Sequence, residues 1–328
     1  MNQKLLLTTI LSSFIGNVAS ADTYTIEEGV MVAGEVSAVY TNSDLTGNYE
    51  SNYRTSAQIG VYADFAHDGY SYGASVVSGI DDVNNISINE VYGYFSNGLG
   101  TFMFGKLDSS LAYYSSVPTV GLGQAGGNYA AEITGDQPFG AVGVFPNFGI
   151  SEKAAAHVDL TDGLHVYGAY VPVAGNYENG IEGAIGYTLQ GVSVSGSYIK
   201  ASGTGMRDLS AWRVGATTEV NGVTLGIDYI DNGDAGVSSA SVSKDQKSLV
   251  LGASISIGEY DFAGSYSDAN GYLASGDYAD TYKVTSIGLS RDLSKHWEYG
   301  ADFIYRTQKV NNNESTSIGI LVGTKVKF

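Results

Sequence analysis

The feature that most limits how this chain can fold is an alternation of residue character with a period of two. A strand turns successive side chains to opposite faces, so sustained alternation means that the two faces meet different media. Across 297–306, Trp297, Tyr299, Ala301, Phe303 and Tyr305 fall on one face and Glu298, Gly300, Asp302, Ile304 and Arg306 on the other. Leu249, Leu251, Ala253, Ile255 and Ile257 oppose Ser248, Val250, Gly252, Ser254 and Ser256 in the same way. Val223, Leu225, Ile227 and Tyr229 oppose Thr224, Gly226 and Asp228, and Trp212, Val214, Ala216, Thr218 and Val220 oppose Arg213, Thr217 and Glu219. A soluble sandwich also alternates, but its apolar faces must be covered by a partner sheet. Here Tyr40, Trp212, Tyr260, Tyr266, Trp297 and Tyr305 gather near strand ends. That is the pattern of aromatic girdles at the two interfaces of a membrane.

Composition narrows the alternatives. Glycine (44) and tyrosine (25) are abundant, proline is scarce (4), and cysteine is absent, so packing and hydrogen bonds alone must hold the fold. Beyond residue 21 no stretch approaches the roughly 18 apolar residues that a membrane helix needs. β-Branched and aromatic residues recur throughout, which excludes a disordered chain. The opening residues differ. Lys4 gives a positive start, Leu5 to Val18 an apolar run, and Ala19-Ser20-Ala21 small residues at both positions of an A-x-A cleavage site. Residues 1–21 therefore read as a secretory signal peptide cut before Asp22, and residues 22–328 as one transmembrane β-barrel domain. The net charge is −18, and removing Lys4 makes the mature chain one unit more negative. Such acidity disfavours a nucleic-acid partner.

Turn chemistry sorts the connections into two alternating classes. The short ones are His67-Asp68-Gly69, Asn97-Gly98-Leu99, Thr161-Asp162-Gly163, Gln190-Gly191, Asn221-Gly222, Gly258-Glu259 and Leu293-Ser294-Lys295. Several carry the Asn-Gly or Asp-Gly pair that supplies the positive φ of a tight hairpin. The long ones are 43–51, 79–86, 107–147, 172–180, 201–208, 232–246, 269–279 and 308–314. They leave sixteen strands: 29–42, 52–66, 70–78, 87–96, 100–106, 148–160, 164–171, 181–189, 192–200, 209–220, 223–231, 247–257, 260–268, 280–291, 297–307 and 315–328. Outer-membrane barrels carry short periplasmic turns and longer external loops, so both termini are expected in the periplasm. The span 107–147 is too long for an ordinary hairpin loop. It contains Leu111, Tyr113, Tyr114, Val117, Tyr129, Ile133 and Phe139, which predicts a packed segment.

Glu90-Val91-Tyr92-Gly93-Tyr94-Phe95 precedes Gly98-Leu99-Gly100-Thr101-Phe102-Met103-Phe104-Gly105-Lys106-Leu107-Asp108. This run resembles the general porins of Gram-negative bacteria: a strand, a glycine-rich turn, a short aromatic strand, then glycine followed by a base. The resemblance covers essentially the mature chain. It implies an antiparallel sixteen-stranded transmembrane barrel in the outer membrane, a homotrimer, and a long third loop, here 107–147, folded into the lumen. Lys106 stands where the family often has arginine. Gln137-Pro138-Phe139-Gly140 only loosely echoes the family's proline-acidic-aromatic motif. The end of the chain is similar too. Ile318, Ile320, Val322, Thr324, Val326 and Phe328 share one face, and a terminal aromatic such as Phe328 resembles the signal read by the barrel-assembly machinery.

The resemblance implies a water-filled channel for small hydrophilic solutes and ions, bounded by outer-membrane lipid and needing no cofactor. A narrow section of such a lumen concentrates the field of its charges, because low-dielectric walls focus field lines. By alternation Arg54 shares a face with Ser56, Gln58 and Tyr62, and Lys153 with His157 and Asp159 opposite Ala154, Ala156 and Val158. Arg213 and Arg306 point inward by the same parity. With Lys106 at the eyelet position, the basic wall is expected to comprise Lys106, Arg54 and Lys153, facing the loop acids Asp108, Glu132 and Asp136. Acids in or near the external loops, among them Asp44, Glu50, Asp81, Asp82 and Glu178, favour cation entry, so modest cation selectivity is expected.

Other chemistry is thin. His67 and His296 lie at turns, whereas His157 and His165 flank one hairpin and could approach each other. A metal site would want further close ligands, and the four read as ordinary turn or lumen histidines. No G-x-S-x-G elbow occurs, and the run Gly121-Leu122-Gly123-Gln124-Ala125-Gly126-Gly127 lacks the Gly-Lys-Ser/Thr ending of a phosphate loop. A substrate-selective oligosaccharide channel is the nearest rival. It would need an aromatic track along the lumen, and most aromatics here read as outward. A barrel enzyme or adhesin is the third alternative.

Overall fold

The computed structural model describes residues 24–27, 29–43, 50–67, 69–81, 85–118, 145–161, 163–241, 245–272, 278–310 and 312–327. Glu132, Asp136 and Phe328 lie outside the described residues, as do Tyr129, Ile133 and Phe139 of the long loop. In chain order the strands are β1 (Tyr24–Glu27), β2 (Val30–Ser43), β3 (Glu50–His67), β4 (Tyr70–Asp81), β5 (Asn85–Asn97), β6 (Gly100–Leu107), β7 (Ser151–Thr161), β8 (Leu164–Ala174) and β9 (Tyr177–Leu189). They continue with β10 (Val192–Gly203), β11 (Leu209–Val220), β12 (Val223–Gly233), β13 (Gln246–Ile257), β14 (Tyr260–Tyr272), β15 (Tyr278–Ser294), β16 (Trp297–Val310) and β17 (Asn313–Lys327). A 3-10 turn, Ser110–Tyr114, follows β6.

From β2 to β17 each strand pairs antiparallel with its chain neighbours, and β17 pairs back onto β2 from Gly319↔Ser43 to Lys327↔Glu35, which joins the ends into a ring. These are the sixteen strands expected from alternation. The four-residue β1 was not expected, being far too short to span a bilayer. It pairs Tyr24↔Val32 and Glu27↔Val30, along the stretch of β2 that β17 leaves unpaired beyond Lys327. Several strands run further toward the long connections than alternation indicated. Tyr177 already belongs to β9, so the connection expected over 172–180 is reduced to the turn Gly175-Asn176. Paired strands satisfy each other's backbone groups in water as well as in lipid, so the ladder need not stop where apolar alternation does.

The tight turns take the backbone their residues allow. Gln190-Gly191 (φ 51° and 81°) and Asn221-Gly222 (φ 53° and 79°) hold both central residues at positive φ, as type I′ hairpins require. The faces then separate cleanly. On β16 Trp297, Phe303 and Tyr305 are exposed on the outside while Gly300, Asp302, Ile304 and Arg306 are buried inside. On β11 Trp212 and Val214 face out and Arg213 faces in. Trp212 and Tyr229 pack at a tilt on the outer face with ring centroids 5.4 Å apart. The buried core is therefore not between two sheets. It lies within the ring, where Leu111, Tyr114 and Val117 of the long connection pack with Tyr167, Val171, Ile199, Ile230 and Val250 of the wall.

Candidate functional site in the barrel lumen

The chain leaves β6 at Leu107 and, from the 3-10 turn onward, follows the inner wall around the ring. Hydrogen bonds hold it at successive strands. Arg213 on β11 donates from Nη2 to the Leu111 carbonyl (2.6 Å) and to Ser197 Oγ (3.1 Å). Ser195 on β10 donates to the Tyr114 carbonyl (2.6 Å). Asp228 on β12 accepts from Ser115 Oγ (2.8 Å) and from the Ser116 amide (3.0 Å), and Thr217 Oγ1 donates to the Ser116 carbonyl. The fit depends on missing side chains. Gly226 on β12 and Gly252 on β13 are direct register partners, and a Cβ on either would strike the loop. At Gly226 it would lie 2.8 Å from Pro118 Cδ and 2.9 Å from the Ser116 carbonyl carbon. Glycine is used here for close approach of backbone to wall.

The returning arm is held by a second set. Phe148 donates its amide to Glu182 Oε1 (2.9 Å), and its ring lies over Gly180. Tyr167 donates to Glu182 Oε2 (3.0 Å), and Lys153 Nζ stands 3.7 Å from the same oxygen with both side chains fully covered. Lys153 also donates to the Gly149 carbonyl (2.6 Å). The Arg213 guanidinium lies 5.2 Å from the Phe145 ring centroid, so one arginine touches both arms of the loop. The buried charges that fasten the loop, Lys153, Glu182, Arg213 and Asp228, each have several hydrogen bonds or an opposite charge, as burial demands.

The residues expected at a constriction do not all meet there. Lys153 is inward and buried, with Asp108 and Glu90 in electrostatic reach in addition to Glu182. Asp108 is exposed in the lumen, and it shares a small cavity with Glu90, Tyr92, Met103 and Leu107. Lys106 is a correction. It pairs with Val91 and Glu152 and has the parity of the exposed Phe102 and Phe104, so it lies on the outer face with its amine donating to the Ile88 carbonyl (2.9 Å). The motif suggested an inward base, but side-chain parity decides the face, and inward positions on β6 belong to Thr101, Met103 and Leu107. Arg54 is in β3 opposite Val39, and its side chain lies outside the described set. Arg213 and Arg306 do point inward. Arg306 donates to Tyr282 OH (3.3 Å).

Sequence reasoning overlooked Glu182, Asp228, Ser116 and the glycines beneath the loop. Asp228 and Glu182 had the right parity for the lumen. Their function as clamps depends on where the two arms of the long loop come to rest, with Ser116 112 residues from Asp228 and Phe148 34 residues from Glu182, and no local pattern carries that. Most aromatics face outward, as expected, and Tyr62 is inward, also as expected, but Tyr92, Tyr94, Tyr167 and Tyr282 are inward and buried as well. Tyr62 covers Gly60 and Tyr94 covers Gly73, while Tyr94 donates to Asp64 Oδ1 (2.7 Å). These tyrosines fill the wall and do not form an open stacking track.

A closed antiparallel ring with aromatic and aliphatic residues outside, charges inside and a loop fastened within defines a transmembrane β-barrel of the outer-membrane channel type. Comparisons with known proteins agree. A family model described as Gram-negative porin matches residues 8–312, and the chain belongs to that family. Among solved structures it is similar to an anion-selective porin from Comamonas acidovorans, with a TM-score of 0.71 and 16% identity over 91% of this chain and 99% of that one. It is also similar to OmpT of Vibrio cholerae in a trimer form (TM-score 0.70, 11% identity, 91% and 99% covered). A mutant porin of Rhodopseudomonas blastica gives a TM-score of 0.63 at 17% identity, with 91% and 100% covered. At such identities the likeness shows the fold alone. No curated protein matches. The protein is thus a porin of the outer membrane with channel function.

Proposed function

We propose that the barrel is a water-filled, non-enzymatic channel for passive diffusion of small hydrophilic solutes and ions, with a modest preference for cations. The observation that carries the preference is the balance of charge on the inner face. Glu90, Glu182, Asp228 and Asp302 point inward from the middle of the wall against Lys153, Arg213 and Arg306, and nearer the short turns Asp64, Asp159, Asp261 and Glu298 stand against Lys325 and Lys327, among the described residues. With Lys106 outside, the loop acid Asp108 faces fewer bases than the motif implied. Carboxylates lining a pore favour cation passage. One structural neighbour is an anion-selective porin, but its identity to this chain is too low for lumen charges to be transferred. The test is a reversal potential in asymmetric KCl. A cation-directed potential that shrinks as salt rises is expected, and an anion-directed potential overturns the preference.

Residues 1–21 act in this reading as a cleaved export signal, and the mature chain works as a homotrimer in outer-membrane lipid. Lys106 and Glu152 support the trimer. They are cross-strand partners on the outer face, well below the β4–β5 connection that begins past Asp81. A lysine facing lipid near the bilayer midplane costs about 2–4 kcal/mol. A neighbouring barrel would remove that cost by covering the face. The outward small residues Ala63 and Ala74 allow close approach there. Mass measurement in mild detergent is expected to give trimers, and monomers alone would refute the assembly.

A further inference from the structure

We propose that His157, Asp159 and His165 form a binding site for a divalent d-block cation of the zinc class, set in the lumen wall beside the short β7–β8 turn. On β7, Lys153, Ala155, His157 and Asp159 follow one another on the inward face, and on β8 His165 shares the inward parity of Tyr167, Ala169 and Val171. Asp159 and His165 are direct register partners, and His157 stands two rungs away on the same face, opposite Tyr167. A register shift between Asp159 and Thr161 ends the regular ladder just beyond the cluster.

The geometry is compact. His165 Nδ1 lies 2.5 Å and His157 Nε2 3.7 Å from Asp159 Oδ1. One donor atom from each of the three residues falls within 4.8 Å of the others, and the two imidazole rings meet edge to face with centroids 6.1 Å apart. Zinc bound at about 2.0–2.1 Å in a tetrahedron separates its donors by roughly 3.3 Å. The His157–Asp159 spacing is already close to that. The widest spacing closes by up to about 1.5 Å and the His165–Asp159 contact opens by about 0.8 Å, both of which a side-chain rotation of the exposed His165 supplies.

The donor set selects the ion. Two imidazoles and one carboxylate suit zinc, nickel and copper, whereas magnesium and calcium demand oxygen donors throughout. Three protein ligands leave a fourth position open to water, as in exchangeable sites. A second observation points to the same stretch of wall. The Tyr114 ring lies 3.3 Å from the Cβ position of Gly186, and Gly186 is the register partner of His165. Tyr114 is 8% exposed, and its phenol oxygen has no hydrogen-bond partner among the described residues. The third loop therefore brings an unpartnered buried oxygen toward the neighbourhood of the cluster. A doubly charged ion bound there reverses the sign of a wall patch that otherwise carries the Asp159 carboxylate.

Calorimetric titration of the purified, folded protein in detergent with zinc chloride tests the binding independently of conduction. Saturable uptake of one zinc per chain is expected, with magnesium giving no comparable heat. His157→Ala with His165→Ala, and separately His165→Gln, should weaken zinc binding at least tenfold, while His67→Ala with His296→Ala leaves it unchanged. Unchanged zinc affinity in folded His157/His165 variants, or equal uptake of magnesium, overturns the site. A second arm rests on the channel reading. Micromolar zinc added on the side of the short turns should lower single-channel current and the cation preference, and a chelator should restore both. Zinc uptake in a protein that does not conduct would keep the site and refute the channel; conduction without zinc uptake would do the reverse.

Discussion

Asp228→Ala removes the acceptor that ties the third loop to β12. The carboxylate takes two hydrogen bonds, one from Ser115 Oγ and one from the Ser116 amide, both largely shielded from water. Hydrogen bonds to a charged group contribute about 1.5–3 kcal/mol each. The two share one acceptor and are not additive, so roughly 3 kcal/mol is a fair value for the pair. At 1.4 kcal/mol per tenfold, local opening of residues 115–118 should rise about a hundredfold. The Arg213–Leu111 and Ser195–Tyr114 bonds remain, which confines the change to that segment. Amide hydrogen exchange on the folded protein reads it directly: Ser116 should exchange about a hundredfold faster while amides of β10 and β11 keep their protection. Single-channel records should show more frequent brief current fluctuations. An acceleration below threefold at Ser116, with the barrel intact, would show that the loop is held by packing at Leu111 and Val117 and not by Asp228.

Gly226→Val should push the loop about 1 Å from the wall, because the new Cβ lies 2.8 Å from Pro118 Cδ where contact needs about 3.5–4.0 Å; single-channel conductance is expected to fall, and wild-type conductance would refute the close approach. Lys153→Met should shift the reversal potential in asymmetric KCl toward cations, since Glu182 stays inward without its cation, whereas Lys106→Glu should leave the potential unchanged. The opposite ranking would place Lys106 in the pore. Raising KCl from 0.1 M, where charges are screened over about 10 Å, should weaken the cation preference severalfold. Asn221→Ala forces alanine to φ 53° and should cost about 1 kcal/mol in denaturant unfolding, with a shift near zero counting against turn strain.

How much the chain disclosed before folding varied with the range of the interaction concerned. Strand existence and facing were readable because alternation is local: Trp212, Arg213 and Val214 declare their sides without reference to any other strand. The hairpins were readable for the same reason at Asn221-Gly222. Strand ends were not, since pairing continues beyond the membrane wherever two chains of backbone can satisfy each other, as at Tyr177. Lys106 failed because a motif was weighed above parity, and the alternating Phe102, Met103 and Phe104 already contained the answer. The clamp residues Asp228 and Glu182 were invisible for a different reason. Asp228 meets Ser115 and Ser116 on the outgoing arm of the long loop and Glu182 meets Phe148 just past its end, so both contacts depend on the path that loop takes along the wall.

The pairing of β17 with β2 gives this barrel a seam. Every other ladder joins neighbours in the chain and can form as a hairpin while synthesis or export is under way. The seam alone links Ser43 to Gly319, about 280 residues apart. Measured on the bare chain, closing that loop costs about 3 kcal/mol more than closing a ten-residue hairpin. Until it closes, β2 and β17 are both open edges with unpaired amides and carbonyls, and such edges recruit other strands. The last strand made is therefore the one that decides between a sealed ring and an aggregate. Until β17 meets β2, the unfinished barrel exposes both of these edges at once.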